Sequence, residues 1–186
     1  LVLLVVLPAA PEDVAFKGDR GLAMRHGEWL QVRAVDRLRR AFAGRAGFFT
    51  LAAKRPRAEG SERDAVFGAA MVYVHAKVAV ADDRAAIVSS ANLNGRSMRW
   101  DTEVGVRLDH PEGAARLRRA LFDAHLGPQA GELPDAPGPL LAAWRQAAHA
   151  NAVRDPGDRA GLVLPYPLER ARSFARRVAF VPNDAL

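Results

Sequence analysis

An α/β fold, a mixed sheet flanked by helices, is predicted by three patterns in the chain. Val2 to Leu7 is a short apolar run without alternation, as expected of a strand buried on both faces. Glu28 to Ala43 repeats at helical spacing, with Leu30, Ala34, Leu38, Ala41 and Phe42 on one stripe and Arg33, Arg37 and Arg40 opposite. Phe48 to Ala52 is a further apolar strand, so strand, helix and strand make one parallel crossover unit. A hairpin centred on Asp82-Asp83-Arg84 adds antiparallel pairing and makes the sheet mixed.

The elements follow in order. Leu1 to Leu7 has the apolarity of a signal-peptide core, but neither a basic segment nor a methionine precedes it, so a buried strand is the reading. An opening in mid-strand is what a piece of a longer chain would show. Pro8 to Gly27 reads as a loop, with His26 exposed on it. Lys54, Arg55 and Arg57 follow the strand that ends at Ala52, at the carboxyl end where ligands gather in α/β sheets; a solvated loop is the equal alternative. Arg57 to Gly68, including Glu59-Gly60-Ser61-Glu62, is polar and leads into Met71.

Met71 to Val80 alternates as a single strand, which puts His75, Lys77 and Ala79 on one face. After the turn, Ile87 to Asn94 returns alongside. Thr102 to Leu108 is a strand buried on the side of Val104, Val106 and Leu108, and Pro111-Glu112 opens a helix with Leu117, Leu121 and Phe122 inward and Arg116, Arg118 and Arg119 solvated. Gly and Pro crowd the stretch from Gly127 to Pro139. It divides the chain into a catalytic half-domain, residues 1–127, and a linker with a helical tail, residues 128–186. The tail carries Trp144 on an apolar helix side, a solitary His149, and a basic segment from Arg170 to Arg177; it either wraps the domain or meets a membrane surface.

The 186 residues hold 27 Lys and Arg against 21 Asp and Glu, a net charge of +6 that suits anionic partners such as phospholipid headgroups or nucleic acid. Cysteine is absent, so no disulfide or thiolate metal site contributes. No carboxylate or histidine cluster has metal-ligand spacing, and no cofactor is expected. No run reaches the roughly 18 apolar residues of a membrane span, which favours a cytoplasmic or peripheral membrane protein.

The chemistry gathers at the hairpin. His75 offers a nucleophile or proton donor near neutral pH, while Lys77, Ser90 and Asn92 offer donors that neutralise and orient the non-bridging oxygens of a phosphate diester. A carboxylate near Asp101 or Glu103 suits the task of holding the imidazole in one tautomer. Lysine is seldom buried, and its alignment with histidine in an Ala/Val strand argues against an ordinary sheet face. Arg96 and Arg99 are placed to guide a headgroup; Trp100 either lines the site or caps the core.

His75-Ala-Lys77-Val-Ala-Val-Ala-Asp82, then Ser90-Ala-Asn92, Asn94-Gly-Arg96-Ser97 and Asp101-Thr-Glu103, resembles the HxKxxxxD (HKD) signature and following residues of the phospholipase D superfamily. The resemblance covers about Leu1 to Gly127 and implies a phospholipase D-like fold, a phosphohistidine intermediate and two catalytic histidines from two HKD motifs. It gives His75 one of those roles, Lys77, Ser90 and Asn92 phosphate binding, and Glu103 the partnership of the histidine. Asp82 enters through the motif, although alternation aims it away from His75 and Lys77, toward a structural turn. Ser89 stands where the family usually has glycine. His26, His110, His125 and His149 lack an HxK pattern, so the second histidine must come from an N-terminal half or from a second copy. Phospholipid hydrolysis or phosphatidyl transfer by the C-terminal half of a two-motif enzyme is the first expectation. A one-motif homodimeric nuclease and a non-catalytic, anion-binding half are the alternatives.

Overall fold

The computed structural model describes residues 1–58 and 63–179, so residues 59–62 of the polar stretch before Met71 lie outside the described residues. The strands are β1 (Leu3–Val6), β2 (Ala46–Pro56), β3 (Ala65–Val66), β4 (Ala69–Val72), β5 (Lys77–Ala81), β6 (Ala85–Ser89), β7 (Gly105–Leu108) and β8 (Val163–Pro165). The helices are α1 (Glu12–Phe16), α2 (Leu22–Phe42), α3 (Gly95–Arg99), α4 (Pro111–Leu126), α5 (Pro137–Ala152) and α6 (Leu168–Phe174). The α/β class is as expected, but the strands form two sheets.

The first sheet is built on β2. β1 runs parallel to it, the predicted crossover, with Leu3 opposite Ala46 and Val6 opposite Phe49. β4 and β8 are antiparallel to β2. Phe49 pairs with both Val6 and Pro165, and Leu51 with both Val72 and Val163. β8 therefore lies along one edge of β2, while β1 and β4 follow one another along the other. Alternation along β2 divides its contacts: Phe49 and Leu51 pack with Leu126, Leu141 and Trp144 of α4 and α5. Phe48 joins Val32, Val35 and Leu168 of α2 and α6, and Ala52 joins Val14 of α1 and Met71. Helices cover both faces, which keeps the backbone bonded and the apolar residues dry.

Several expectations need correction. The helix predicted from Glu28 begins at Leu22, and its buried side is His26, Glu28, Val32 and Val35 rather than the stripe through Ala34 and Ala41. His26 is buried, with Nδ1 accepting the Val178 N–H at 3.1 Å, and Glu28 accepts from Arg63 in a buried ion pair. Their polar character hid them from a hydrophobic pattern. Strand β2 continues to Pro56, so Lys54 and Arg55 stand on its exposed end, and Arg57 is engaged with Asp64 at 2.8 Å.

Packing continues across the boundary expected at Gly127. Trp144 is 1% exposed between Phe49 and Phe122, and β8 completes the edge of β2. The basic segment near Arg170 to Arg177 is docked rather than free: Ala171 is buried, and Arg172 reaches Asp36 of α2 at 2.6 Å. Gly127 itself has φ +61°, and a Cβ there would meet the Ala160 carbonyl oxygen at 2.7 Å, so the glycine lets the chain turn back onto the sheet.

The second sheet, β5-β6-β7, is antiparallel throughout. Arg84 N–H bonds the Ala81 carbonyl at 2.9 Å, with φ +49° at Asp82 and +53° at Asp83, a mirror-image turn that suits the twist of a hairpin. Aspartate tolerates this left-handed backbone better than most residues. Helix α4 packs on β5 and β6, and Arg118, expected in solvent, forks onto Asp83, with Nη2 to Oδ2 at 2.7 Å.

Candidate functional site

The strand expected from Met71 to Val80 is two strands in two sheets. Alternation persists through Val74: Met71 and Tyr73 pack with one apolar cluster, Val72 and Val74 with the other. Pairing ends at Val72, opposite Leu51, because β1 occupies the edge of β2 that lies ahead. The chain leaves the first sheet there and resumes as β5 at Lys77. His75 sits in the connection, and Lys77 opens the new strand.

The break still brings the two side chains together. Lys77 Nζ lies 3.0 Å from His75 Nε2 and donates to the His75 carbonyl at 2.8 Å. An ammonium has only donors, so in a hydrogen bond at this contact Nε2 is the acceptor. The Tyr73 ring stacks near the imidazole, with centroids 6.1 Å apart. His75 is exposed and Lys77 half-buried.

The hairpin register sets Lys77 opposite Ser89, as the fold-back predicts, and Ser89 pairs in turn with Gly105. Ser89 Oγ accepts the Ala91 N–H at 3.0 Å and donates to the Val104 carbonyl at 3.2 Å. A Cβ on residue 105 would stand 3.0 Å from that hydroxyl and 3.3 Å from the Val88 carbonyl oxygen. Gly105 thus accommodates the serine across the strand pair, a compensation that the sequence analysis missed.

Ser90 and Glu103 form the other side of the cluster. The Ser90 N–H bonds the Val104 carbonyl at 2.9 Å, its hydroxyl accepts the Val104 N–H at 3.0 Å, and the same hydroxyl donates to Glu103 Oε2. Hydrogen bonds from Ser90 and then Ser97 hold the Glu103 carboxyl below the usual carboxylate range, with further help from the nearby charges of Lys77 and Arg96. Glu103 was expected beside His75; among the described residues its side-chain bonds run to the two serines instead. The Ser97 contribution was also missed. Its signal is the Asn-x-x-Ser spacing: Asn94 caps α3 by accepting the Ser97 N–H at 2.9 Å, which turns Ser97 inward.

Asn92 is exposed, and its carboxamide has no partner among the described residues. Asp82 is at the hairpin tip, five residues beyond Lys77, about 16 Å along the strand at an ordinary rise. It does not join the cluster. Arg96 is paired to Asp101 at 3.1 Å, and Trp100 is 74% exposed, so it does not cap the core. Beyond Ser90, Thr102 to Val104 is irregular rather than strand; Val104 and Val106 are 77% and 61% exposed where burial was expected, because α4 packs on the neighbouring strands and nothing described covers them.

The interval that carries these residues is similar to known proteins. The family described as Cardiolipin synthase, PLD-like domain, matches residues 52–125, the interval from the middle of β2 through most of α4. Phospholipase D zeta 1 of Arabidopsis thaliana is 33% identical over 112 residues, covering 48% of this chain and 10% of that protein. Phospholipase D2 of Bos taurus is 31% identical over 103 residues, 44% of this chain and 11% of its own length. Phospholipase D of Phytophthora infestans is 40% identical over 73 residues, 30% of this chain and 4% of the relative. The match thus spans about a tenth or less of each relative's length. The matched interval contains the histidine, lysine, serine and glutamate cluster, and over it the chain is similar to proteins named phospholipase D.

Proposed function

We propose that this chain supplies one of the two catalytic histidines of a phospholipase D-type phosphodiesterase and forms the C-terminal half of its active site. The carrying observation is the 3.0 Å approach of Lys77 Nζ to His75 Nε2 on an exposed sheet edge. When a phosphodiester arrives, its anionic oxygens compete for the ammonium, and the Nε2 lone pair is released for the phosphorus. Lys77 and the exposed carboxamide of Asn92 then hold the non-bridging oxygens, where charge builds in the transition state. Ser90 has its hydroxyl committed to Glu103, so we assign it to orient this wall of the site.

In the forward step a histidine N–P bond forms, the P–O bond to the headgroup alcohol breaks, and the second histidine protonates the departing oxygen. Water or another alcohol then attacks phosphorus, gives its proton to that second histidine, and breaks the N–P bond. Hydrolysis and phosphatidyl transfer share this course. His75 serves as nucleophile or as acid, and the missing histidine takes the other role.

The partner is a second HKD unit, an N-terminal half or a second copy. Val104 and Val106, with the half-exposed Ile87 and Val88, are an apolar surface of the kind a partner covers. Leu93, 97% exposed, and Trp100 suit the same assembly's contact with a lipid surface. A phospholipid substrate is favoured over nucleic acid because the relatives are named phospholipase D and no aromatic array for base stacking is found among the described residues.

The test uses the form assembled with its partner half. Short-chain phosphatidylcholine and single-stranded DNA are offered in parallel, and the protein, quenched by denaturation at alkaline pH where the N–P bond survives, is searched by mass spectrometry for phosphohistidine. Turnover of the lipid and a covalent adduct lost in the variant lacking the nucleophilic histidine are expected. Cleavage of DNA alone would favour the nuclease, and unchanged turnover in His75→Ala would overturn the assignment.

A further inference from the structure

We propose that the cleft between α2 and α5, at the start of β2, binds a phosphate monoester that carries an apolar arm. The cleft exists because β8 leaves its edge of β2 after Pro165: the Tyr166 N–H makes a 3.1 Å bond to the Phe48 carbonyl, and on that edge, opposite β1, no described strand continues beside Ala46 and Gly47. The resulting cavity is about 370 Å³. That volume lies within the range of about 300–1,000 Å³ typical of small-ligand sites. None of its lining residues belongs to β5, β6, β7 or the connection bearing His75.

Its chemistry is one-sided. Arg39 of α2 and Arg145 and His149 of α5 line it beside Val35, Phe48 and Tyr166, and no acidic side chain is among the lining residues. Elsewhere in the fold arginines find carboxylates: Arg57 with Asp64, Arg118 with Asp83, Arg172 with Asp36. Among the described residues the cleft arginines do not. Arg145 spends Nη2 on the carbonyls of Gly44 and Ala46, at 2.7 and 2.8 Å, which fixes its guanidinium over the open strand edge and leaves its other donors available. The side chains of Arg39 and His149 form no hydrogen bond or ion pair among the described residues. Guanidinium groups match phosphate oxygens in paired, planar contacts, and a dianion offsets the like charges that face one another here. The aromatic and aliphatic floor provides for an uncharged arm.

The full-length protein, or the assembled form, is titrated calorimetrically with phenyl phosphate, with phenol as the neutral control. A second arm uses phosphatidylcholine vesicles with and without phosphatidic acid. Saturable binding of phenyl phosphate but not phenol is expected, weakened about tenfold by Arg39→Ala, the loss of one charge-assisted contact. His149→Ala should weaken it less, and His75→Ala should leave it unchanged. Binding confined to phosphatidic acid vesicles, with the same Arg39 dependence, identifies the monoester as a lipid headgroup; binding confined to phenyl phosphate identifies it as a soluble compound. No binding in either arm, equal binding of phenol, or loss in His75→Ala with Arg39→Ala unaffected would overturn the proposal. The Arg39 side chain makes no hydrogen bond or ion pair among the described residues, and a thermal melt of Arg39→Ala verifies that it remains folded.

Discussion

The two sheets of this protein divide its work. The first, on β2, is enclosed by α1, α2 and α6 on one face and by α4 and α5 on the other, with Phe49, Leu51, Trp144 and Val163 almost wholly removed from water. The second, β5 to β7, carries the lysine, serine and nearby histidine, yet Ile87, Val88 and Val106 remain open to solvent. Stability resides where burial is complete; reactive groups stand where solvent, substrate or a partner can reach them. The His75 connection joins the two, and it exists because β1 claims the edge along which β4 would have continued.

That contrast predicts a double dissociation. Trp144→Ala, at 1% exposure against Phe49 and Phe122, should cost about 3–5 kcal/mol in urea unfolding, the toll of a large core cavity. His75→Ala should do the reverse: at an exposed site its effect on stability should fall within about 0.5 kcal/mol, while turnover of a phosphodiester by the assembled form drops by at least about 10³-fold. If unfolding and turnover respond together in both variants, the division is wrong. Lys77→Ala should likewise reduce kcat/KM, and more than Ser90→Ala does, since Ser90 is bonded to Glu103 rather than left for substrate.

The tether between the sheet and α4 provides a smaller test. Asp83→Asn keeps a residue suited to φ +53° and removes only the charge, so the part-exposed Arg118 pair should be worth about 1 kcal/mol or less. Asp83→Ala should cost more, since alanine also resists the left-handed backbone.

The smallest expected effect is that of pH. Hydrogen bonding from Arg118 holds the Asp83 carboxyl below its ordinary value, so the folded chain keeps this proton off at acidity where the unfolded chain has taken it up. The stabilisation is complete above the ordinary aspartate range and disappears as pH falls through the depressed folded value. Amide exchange in β5 and β6 should accelerate in that acid window before exchange in β2 does. Simultaneous acceleration would show that the sheets open as one unit. Catalysis should follow a bell-shaped pH profile, because one histidine must be neutral while the other is protonated; a flat profile would contradict that mechanism.

Local chemistry in the chain determined the strand, helix and strand crossover, the hairpin with its aspartate turn, and the grouping of His75, Lys77 and Ser90, because these follow from side-chain periodicity and spacing over a few residues. Tertiary structure alone decided the rest. Competition between β1 and β4 for one edge of β2 split the predicted Met71 to Val80 strand, and pairing with that same strand drew β8, some hundred residues later in the chain, into the first sheet. His26 and Glu28 were invisible as core residues because what draws a polar side chain into a core is a distant partner, here the Val178 N–H for His26 and Arg63 for Glu28. Glu103 turned to Ser90 and Ser97 for the same reason: a carboxylate goes to the donors that folding brings within reach, and spacing along a sequence does not specify them.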